Sequence, residues 1–395
     1  MSSAAGQSPN PEINTKSPVD PTEGRRTVQP VMTVVSAVPA VSAVPAAFEA
    51  GQSAFLDVCR GRRPTHRPLW FMRQAGRSLP EYRAIRGTGS ILQAVADPAL
   101  ATEITLQPVR RYGTDAAILY SDIMVPIAAV GFGVDIKAGI GPVTEVPFRT
   151  AADLDRVGPL EPEFHVPYVA ETVRLLVNEL PVPLIGFAGA PFTVASYLIE
   201  GGPSRTYTKT KAMMLGDPAL FAALLSRLAD QAVASLRAQV QAGASAVQVF
   251  DSWAGALHPG HYERYVLPHT RTVFEGVADL GVPRIHFGVN TGELLGLMAS
   301  PGVEMVGVDW RVGLDAARTR VPAGMALQGN LDPATILAGW DAVRSEAADV
   351  LARNGAHPGH VFNLGHGVLP ESDPDVLARL VDFVHEQRLT AESAQ

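Results

Sequence analysis

Residues 67–83 read Arg-Pro-Leu-Trp-Phe-Met-Arg-Gln-Ala-Gly-Arg-Ser-Leu-Pro-Glu-Tyr-Arg, and the apolar run Pro68–Met72 predicts a short buried strand. The chain turns polar directly after this run, where Arg73 and Arg77 stand four positions apart with small residues between them. A guanidinium is planar and always charged, so it suits a two-point contact with a carboxylate or phosphate. Gly76 allows a ligand or the main chain to approach closely. Solvated arginines or internal ion pairs are the alternative interpretation of the same spacing.

Similar apolar runs recur along the chain, mostly separated by helical patterns. The eight candidate strands are Pro68–Met72, Ala116–Tyr120, Pro183–Phe187, Ala246–Phe250, Arg284–Phe287, Met305–Val308, Met325–Gln328 and His360–Asn363. Alternating strands and helices with right-handed crossovers give a parallel sheet, and eight units predict a closed (β/α)8 barrel of the TIM type. An open doubly wound sheet is the alternative, but no glycine-rich dinucleotide turn follows the first strand. Residues 131–164 are predicted to form an elaborated loop with a hairpin.

Four Asp-Pro pairs mark helix starts. An aspartate side chain caps the first backbone amides of a helix, and proline suits the first helical position. These pairs are Asp97-Pro98, Asp217-Pro218, Asp332-Pro333 and Asp373-Pro374. After Asp217 the apolar residues recur with helical period as far as Gly243, which predicts one long helix followed by a buried strand.

The composition is that of a protein with a large core and no global basic field. Of the 395 residues 47% are hydrophobic and 18% are charged, and the formal net charge is −7. Nucleic acid is therefore not expected as a partner, and an anionic substrate would have to meet a local arginine cluster. Cys59 is the only cysteine, which excludes an intramolecular disulfide and argues against a thiolate-rich metal centre. We expect a cytoplasmic protein.

Residues 1–50 differ from the rest of the chain because they are rich in Ser, Ala, Pro and Val. We predict a flexible low-complexity tail there and one barrel domain over residues 51–390. Arg25-Arg26 before an apolar run gives a faint likeness to a twin-arginine export signal, but Pro39 and Pro45 would break its helical core. No later stretch reads as long and apolar enough to span a bilayer, so no membrane partner is expected.

Polar residues follow most of the predicted strands, where a barrel carries its chemistry. They include Asp122 after Ala116–Tyr120, Ser252 after Ala246–Phe250, His366 after His360–Asn363, and Tyr197 beyond Pro183–Phe187. Because the carboxyl ends of barrel strands share one mouth, these side chains are candidates for a common site. Helix caps also place Asp or Ser after strands, so a capping role is the alternative for each of them.

Six segments of the chain, in the same order, resemble the uroporphyrinogen decarboxylase family. They are Trp70–Arg77, Tyr120–Ile123, Gly186–Thr193, Ser196–Gly202, Phe250–Gly255 and Asn363–Gly367. The resemblance implies a haem-pathway enzyme that removes carbon dioxide from the four acetate side chains of uroporphyrinogen III to give coproporphyrinogen III. It further implies that no cofactor or metal is needed and that the protein is a homodimer.

The resemblance also implies site roles. Asp122 would accept hydrogen bonds from pyrrole N–H groups and stabilise developing positive charge. Arg73 and Arg77 would bind acetate or propionate carboxylates, and Gln74 would add a donor.

Three further side chains are implied at the site. Tyr197 and Ser252 would hydrogen-bond a substrate carboxylate or Asp122, and His366 would bind a carboxylate when protonated. The identity of the proton donor stays open among Asp122, Arg73 acting through a water, Tyr197 and His366.

Two other functions are alternatives: a barrel methyltransferase of the corrinoid and methionine synthase superfamily, and a non-catalytic tetrapyrrole binder. The methyltransferases use a His/Cys zinc site, whereas Cys59 lies before the first strand. A carrier would need the arginines but not Asp122. The pairs His258-Pro-Gly-His261 and His357-Pro-Gly-His360 are interrupted by turns that scatter ligands, so no metal site is expected from them.

Overall fold

The computed structural model of the chain describes residues 48–49, 51–137 and 139–387. The predicted flexible tail lies outside the described residues except for Phe48 and Glu49, and so do residues 388–390 of the predicted barrel domain. Phe48 packs against buried side chains of the core. The boundary at residue 50 therefore stays a prediction.

Seven of the eight predicted strands form one parallel sheet, and a separate antiparallel hairpin occupies the predicted loop. The strands are β1 Ala117–Ile118, β2 Val134–Lys137, β3 Gly141–Thr144, β4 Leu184–Gly189, β5 Ala246–Asp251, β6 Arg284–Gly288, β7 Met305–Gly307, β8 Ala326–Leu331 and β9 His360–Leu364. The parallel order is β1-β4-β5-β6-β7-β8-β9, while β2 pairs with β3. The predicted hairpin is confirmed.

The segment Pro68–Met72 closes the barrel between β9 and β1. Leu69 bridges Phe362 of β9 in parallel, and the Phe362 amide donates to the Pro68 carbonyl at 2.8 Å. On the other side the Asp115 amide donates to the Leu69 carbonyl at 2.8 Å. The predicted (β/α)8 barrel is confirmed. This segment is less regular than a strand because the Leu69 amide donates to the Asp115 carboxylate, at 2.7 Å, and not to a neighbouring carbonyl.

All four Asp-Pro pairs begin helices, as predicted. Asp97 and Asp217 accept from amides three residues on at 3.1 Å, and Asp332 and Asp373 from amides two residues on at 2.9 Å. The helix after Asp332 is a 3-10 helix.

The helical layer surrounds the sheet. The α-helices are α1 Ala54–Cys59, α2 Pro80–Arg86, α3 Ile91–Val95, α4 Pro98–Tyr112, α5 Val125–Ala129, α6 Pro162–His165, α7 Pro167–Glu179, α8 Pro191–Glu200, α9 Thr208–Gly216, α10 Pro218–Gln241, α11 Pro259–His261, α12 Leu267–Glu275, α13 Leu295–Ala299, α14 Leu314–Arg318, α15 Trp340–Asn354 and α16 Pro374–Glu386. A π-helical segment spans Tyr262–Val266, and 3-10 helices span Ala151–Arg156, Ala254–Ala256, Ala278–Leu280, Gly292–Leu294 and Pro333–Ala338.

The long helix α10 is part of the helical layer around the barrel. Contrary to the expectation that no stretch after the tail is long and apolar enough to span a bilayer, this helix is so by length and composition, and it is the one such helix among the described residues. Its residues Phe221, Leu224, Leu228 and Leu236 are buried in the largest core cluster, which also contains residues of β4 and β5. The apolar face of this helix therefore serves the barrel core.

Large side chains fill the barrel interior. Trp70 is fully buried, and its indole Nε1 donates to Gln328 Oε1 at 2.9 Å. The Gln328 amide in turn donates to Gln248 Oε1 at 3.0 Å. This chain of polar contacts ties the closing segment to β8 and β5, so the loop that follows Met72 is held at a defined place on the barrel rim.

Candidate active site

The loop Arg73–Arg77 follows the carboxyl end of the closing segment, and the Gln74 side chain holds this loop in place. The Gln74 side chain is fully buried; its Oε1 accepts from the Phe71 amide at 3.1 Å, and its Nε2 donates to the Ala116 carbonyl at 3.1 Å. Both ends of this amide therefore bond to the main chain. The arrangement favours a positioning role for Gln74 over the free donor that the sequence suggested.

Two glycines determine the path of the Arg73 side chain. A Cβ at Gly76 would lie 2.8 Å from the Arg73 carbonyl oxygen, so the turn closes only with glycine there. A Cβ at Gly367 would lie 2.8 Å from Arg73 Cγ, which places the arginine stem directly over the loop after β9. Arg73 itself has a φ of 58°, a left-handed conformation that is costly for an arginine and is found mostly where the surroundings impose it.

The exposed Arg73 guanidinium is the common neighbour of the predicted site residues. Its charge acts on Asp122, on Tyr197 and on His366. Arg77, at the other end of the loop, is exposed and makes no hydrogen bond or ion pair within the described part of the chain. Its guanidinium is therefore available to a ligand.

Asp122 lies just after β1, in the loop before α5. Its Oδ1 accepts from the Met124 amide at 2.9 Å, which fixes the carboxyl in an Asx turn. Burial raises the pKa of Asp122, and the Met124 amide and the Arg73 charge oppose that rise. Within the described residues Oδ2 has no hydrogen-bond donor, so one oxygen of a partly desolvated carboxyl is left for a ligand.

Tyr197 lies on α8, in an aromatic cluster at the same rim. Its ring contacts Trp253 edge to face at a centroid distance of 5.7 Å, and Tyr207 also contacts Trp253, at 5.4 Å. Burial and the nearby Asp122 carboxyl raise the pKa of Tyr197 to about 12. The phenol is thus neutral at physiological pH and is a hydrogen-bond donor there.

Ser252 follows β5 directly and is half-buried. Its neighbour Asp251 turns into the core, where its Oδ1 accepts from the Thr193 hydroxyl at 3.0 Å. Thr193 also accepts from the Trp253 amide at 3.2 Å, which anchors the turn. In the part of the chain that the structure describes, the Ser252 hydroxyl has no hydrogen-bond partner, so it is free to bind a ligand.

His366 lies after β9 and is half-buried. Burial, then the charges of Arg73 and Arg311, lower the pKa of His366 to about 4. The imidazole is therefore neutral at physiological pH, with Nδ1 accepting from the Gly367 amide at 2.6 Å and Nε2 left as the protonated nitrogen. The sequence analysis expected a protonated imidazolium; burial first, and then the two nearby guanidiniums, disfavour that state.

Arg311 was missed by the sequence analysis. It follows β7 and stacks on the Trp310 ring at 3.9 Å, while its Nη1 donates to Asp309 Oδ2 at 2.7 Å. Asp309 is buried and also accepts from the Arg311 amide at 3.1 Å. The signal was present, since Asp309-Trp310-Arg311 follows an apolar run just as Asp122 does.

The site residues thus come from loops after the closing segment, β1, β5, β7 and β9, and from helix α8, which follows β4. The structure brings Arg73, Asp122, Tyr197 and His366 into one electrostatic neighbourhood. A partly desolvated carboxyl beside the Arg73 guanidinium, with Arg77 exposed on the same loop, suits a small molecule that carries carboxylates and a polar N–H centre. Fold and site define a (β/α)8-barrel protein with arginines and a carboxyl group together at the carboxyl ends of its strands.

Comparison with known proteins gives the family within that class. The family model described as "Uroporphyrinogen decarboxylase (URO-D)" matches residues 50–387. Uroporphyrinogen decarboxylase of Salinispora tropica is 60% identical over 343 residues, which cover 87% of this chain and 92% of the relative. The enzyme of the same name from Thermobifida fusca is 58% identical over 336 residues, covering 85% and 93%. The chain belongs to the uroporphyrinogen decarboxylase family.

A solved methyltransferase from Methanosarcina mazei has the same fold. The two structures superpose with a TM-score of 0.67 at 19% identity, covering 84% of this chain and 97% of the methyltransferase. A likeness at this identity concerns the barrel alone. Cys59, the one cysteine in the sequence, is buried in α1, and burial raises the pKa of its thiol well above its usual range. It is thus a poor source of the zinc thiolate that the methyltransferase alternative requires.

Proposed function

We propose that this protein is a uroporphyrinogen decarboxylase that converts the four acetate side chains of uroporphyrinogen III to methyl groups, giving coproporphyrinogen III and carbon dioxide. The observation that carries this conclusion is 60% identity to an enzyme of that name over nearly the whole barrel. The convergence of Arg73, Asp122, Tyr197 and His366 at the carboxyl ends of the strands supports it.

The reaction needs an electron sink, which the substrate itself provides. Protonation of a pyrrole α-carbon creates a cationic ring that accepts the electron pair released when the carbon–carbon bond to the carboxylate breaks. The exocyclic methylene then takes a proton to become methyl, and the α-carbon proton is lost. Each acetate therefore consumes one proton and releases one carbon dioxide. We propose that the protein supplies an anion, cations and a proton donor, without a cofactor or metal.

Asp122 is proposed as the anion beneath the pyrrole nitrogens. Its Oδ1 is held by the Met124 amide at 2.9 Å, so its position does not depend on the substrate. Burial raises its pKa although the Met124 amide and the Arg73 charge oppose the rise. A pyrrole cation would add positive charge beside the carboxylate, so the interaction strengthens as the cation forms, as transition-state stabilisation requires.

We assign the binding of the substrate carboxylates to arginines at the rim of the barrel. Arg73 and Arg77 are proposed as carboxylate ligands, and Gln74 as the residue that holds their loop. Two arginines on one short loop can engage different side chains of the macrocycle. Substrate rotation between successive decarboxylations then presents each acetate to the same carboxyl group.

The remaining polar groups are proposed as neutral donors. Tyr197, with a pKa of about 12, and His366, with a pKa of about 4, each carry a proton that can be donated to a substrate carboxylate. The Ser252 hydroxyl adds a third donor from the loop after β5. For protonation of the α-carbon we favour two donors, which are Asp122 itself and a water bound to Arg73. Tyr197 is less suitable, because a tyrosine with so high a pKa is a weak acid.

The test is anaerobic incubation of the metal-stripped protein with uroporphyrinogen III, with products followed by carboxylate number. Stepwise conversion from eight to four carboxylates, with loss of activity in Asp122→Asn and Arg73→Ala, is the expected result. Tight binding without release of carbon dioxide would instead assign a carrier role. Failure to bind the porphyrinogen would contradict the proposal altogether.

We also propose that the protein acts as a cytoplasmic homodimer whose partners are its substrate and a second copy of itself, with no nucleic acid or membrane partner. The family resemblance supports dimerisation. Light scattering of the purified protein tests this: a monomer at micromolar concentration would refute it.

A further inference from the structure

Three side chains meet at the amino-terminal end of the barrel. They are His66, just before the closing segment, Asp115, just before β1, and His385, in the last turn of α16. We propose that they bind a divalent transition-metal ion of the Zn²⁺ type, which fastens the C-terminal helix to the seam where the barrel closes.

The donor atoms converge as such a site requires. His66 Nε2 lies 2.6 Å from Asp115 Oδ1, and His385 Nε2 lies 2.8 Å from Asp115 Oδ2. The candidate ligand atoms of the three residues lie within 4.8 Å of one another. Tetrahedral Zn²⁺ with bonds of about 2.0–2.2 Å separates its ligands by about 3.3 Å. Small side-chain movements therefore suffice to admit an ion, with water at the fourth position.

Neighbouring groups hold these ligands in place. The Leu69 amide donates to Asp115 Oδ2 at 2.7 Å, which orients the carboxylate. The Thr65 hydroxyl lies 3.0 Å from His66 Nδ1, so that ring can donate its Nδ1 proton there and present Nε2 to a metal. Such supporting hydrogen bonds are typical of metal-bound histidine and carboxylate. Two neutral imidazoles and one carboxylate form a donor set that suits Zn²⁺ over Mg²⁺ or Ca²⁺.

The cluster is accessible and remote from the candidate active site. The side chains of His66 and His385 are 36% and 28% exposed, so an ion can enter from solvent. All three residues lie at the strand ends opposite to those that carry Asp122 and His366. The metal is thus structural, and decarboxylation does not require it.

Equilibrium dialysis of the tag-free, metal-stripped full-length protein against Zn²⁺, with bound metal measured by mass spectrometry, tests the proposal. We expect one bound Zn²⁺ per chain, a rise in Tm on its addition, and a Co²⁺ derivative with the strong visible absorption of a tetrahedral site. His385→Gln and His66→Gln should each weaken Zn²⁺ binding by about tenfold or more. The double variant His258→Gln/His261→Gln, a surface pair elsewhere, should retain full binding.

Two results would overturn the proposal. One is the absence of bound Zn²⁺ above the level of the buffer control. The other is equal binding by wild type, His66→Gln and His385→Gln. Both variants leave the Asp115 contact with the Leu69 amide intact, and decarboxylase activity serves as the measure of folding.

Discussion

Replacing Asp122 with asparagine separates charge from shape at the centre of the candidate site. Asparagine keeps the Oδ1 acceptor that receives the Met124 amide at 2.9 Å, so the loop after β1 should retain its conformation. What disappears is the negative charge that would face the pyrrole cation. The variant therefore isolates the electrostatic contribution of this carboxylate.

The size of the effect follows from the location of the group. Two opposite unit charges about 4 Å apart in a site with an effective dielectric constant near 20 interact by about 4 kcal/mol. Because each ~1.4 kcal/mol changes a rate tenfold, kcat should fall by about two to three orders of magnitude. KM should change little, since Arg73 and Arg77 still bind the carboxylates.

Stability should move in the opposite direction. Burial raises the pKa of Asp122, which means that the folded state disfavours its ionised form. Such a group stabilises the fold most when protonated, and this contribution is lost as pH rises through the raised pKa. The neutral asparagine removes that penalty, so Tm at pH 7 should equal or exceed that of the wild type.

The assay is steady-state decarboxylation with a thermal melt of each protein. Asp217→Asn is the matched control, because it makes the same substitution at the N-cap of α10, where the cap to the Leu220 amide survives. If Asp122→Asn kept a kcat within about threefold of the wild type, the proposed electrostatic role would be wrong. A large fall in Tm would show that Asp122 is mainly structural.

Further substitutions probe the rim of the cleft. Gly76→Ala forces a Cβ to within 2.8 Å of the Arg73 carbonyl, so activity and Tm should both fall, by about 1–3 kcal/mol in stability, whereas Gly216→Ala meets no atom within 4 Å and should be silent in both assays. His366→Gln should raise KM yet leave the acidic limb of kcat/KM between pH 5 and 8 unshifted, because the pKa of His366 is already lowered to about 4; a limb near pH 6.5 that vanishes in the variant would contradict this. Arg311→Gln leaves the buried Asp309 carboxylate without the guanidinium that donates to it at 2.7 Å, so Tm should fall, and an unaltered Tm would contradict this.

Most strands and helices of the barrel could be predicted from the sequence, because the patterns that indicate them are local. The Asp-Pro pairs at Asp97 and Asp217 act within a few residues, and each forms the cap that was predicted. Strand positions also followed from local apolar runs, since buried parallel strands are apolar on both faces. The closing segment was less regular than predicted because its Leu69 amide bonds to a side chain distant in sequence, that of Asp115.

The candidate site was only partly accessible in the same way. Asp122, Ser252 and His366 were predicted as site candidates because polar residues after barrel strands share one mouth, a rule that follows from topology. Arg311 obeys the same rule and was overlooked. The neutral state of His366 was not predictable, because it depends on burial and on two guanidiniums from separate loops.

By itself, the sequence determined the order of strands and helices, the barrel class and the family, since these depend on periodicity, caps and short motifs. Only the tertiary structure decided which polar side chains have hydrogen-bond partners within the protein and which remain free for a ligand. In it, both ends of the Gln74 side-chain amide form hydrogen bonds with the main chain, and His385 contacts Asp115, which lies 270 positions away in sequence. Such pairings depend on how distant segments pack around the closed sheet, and no local pattern encodes them.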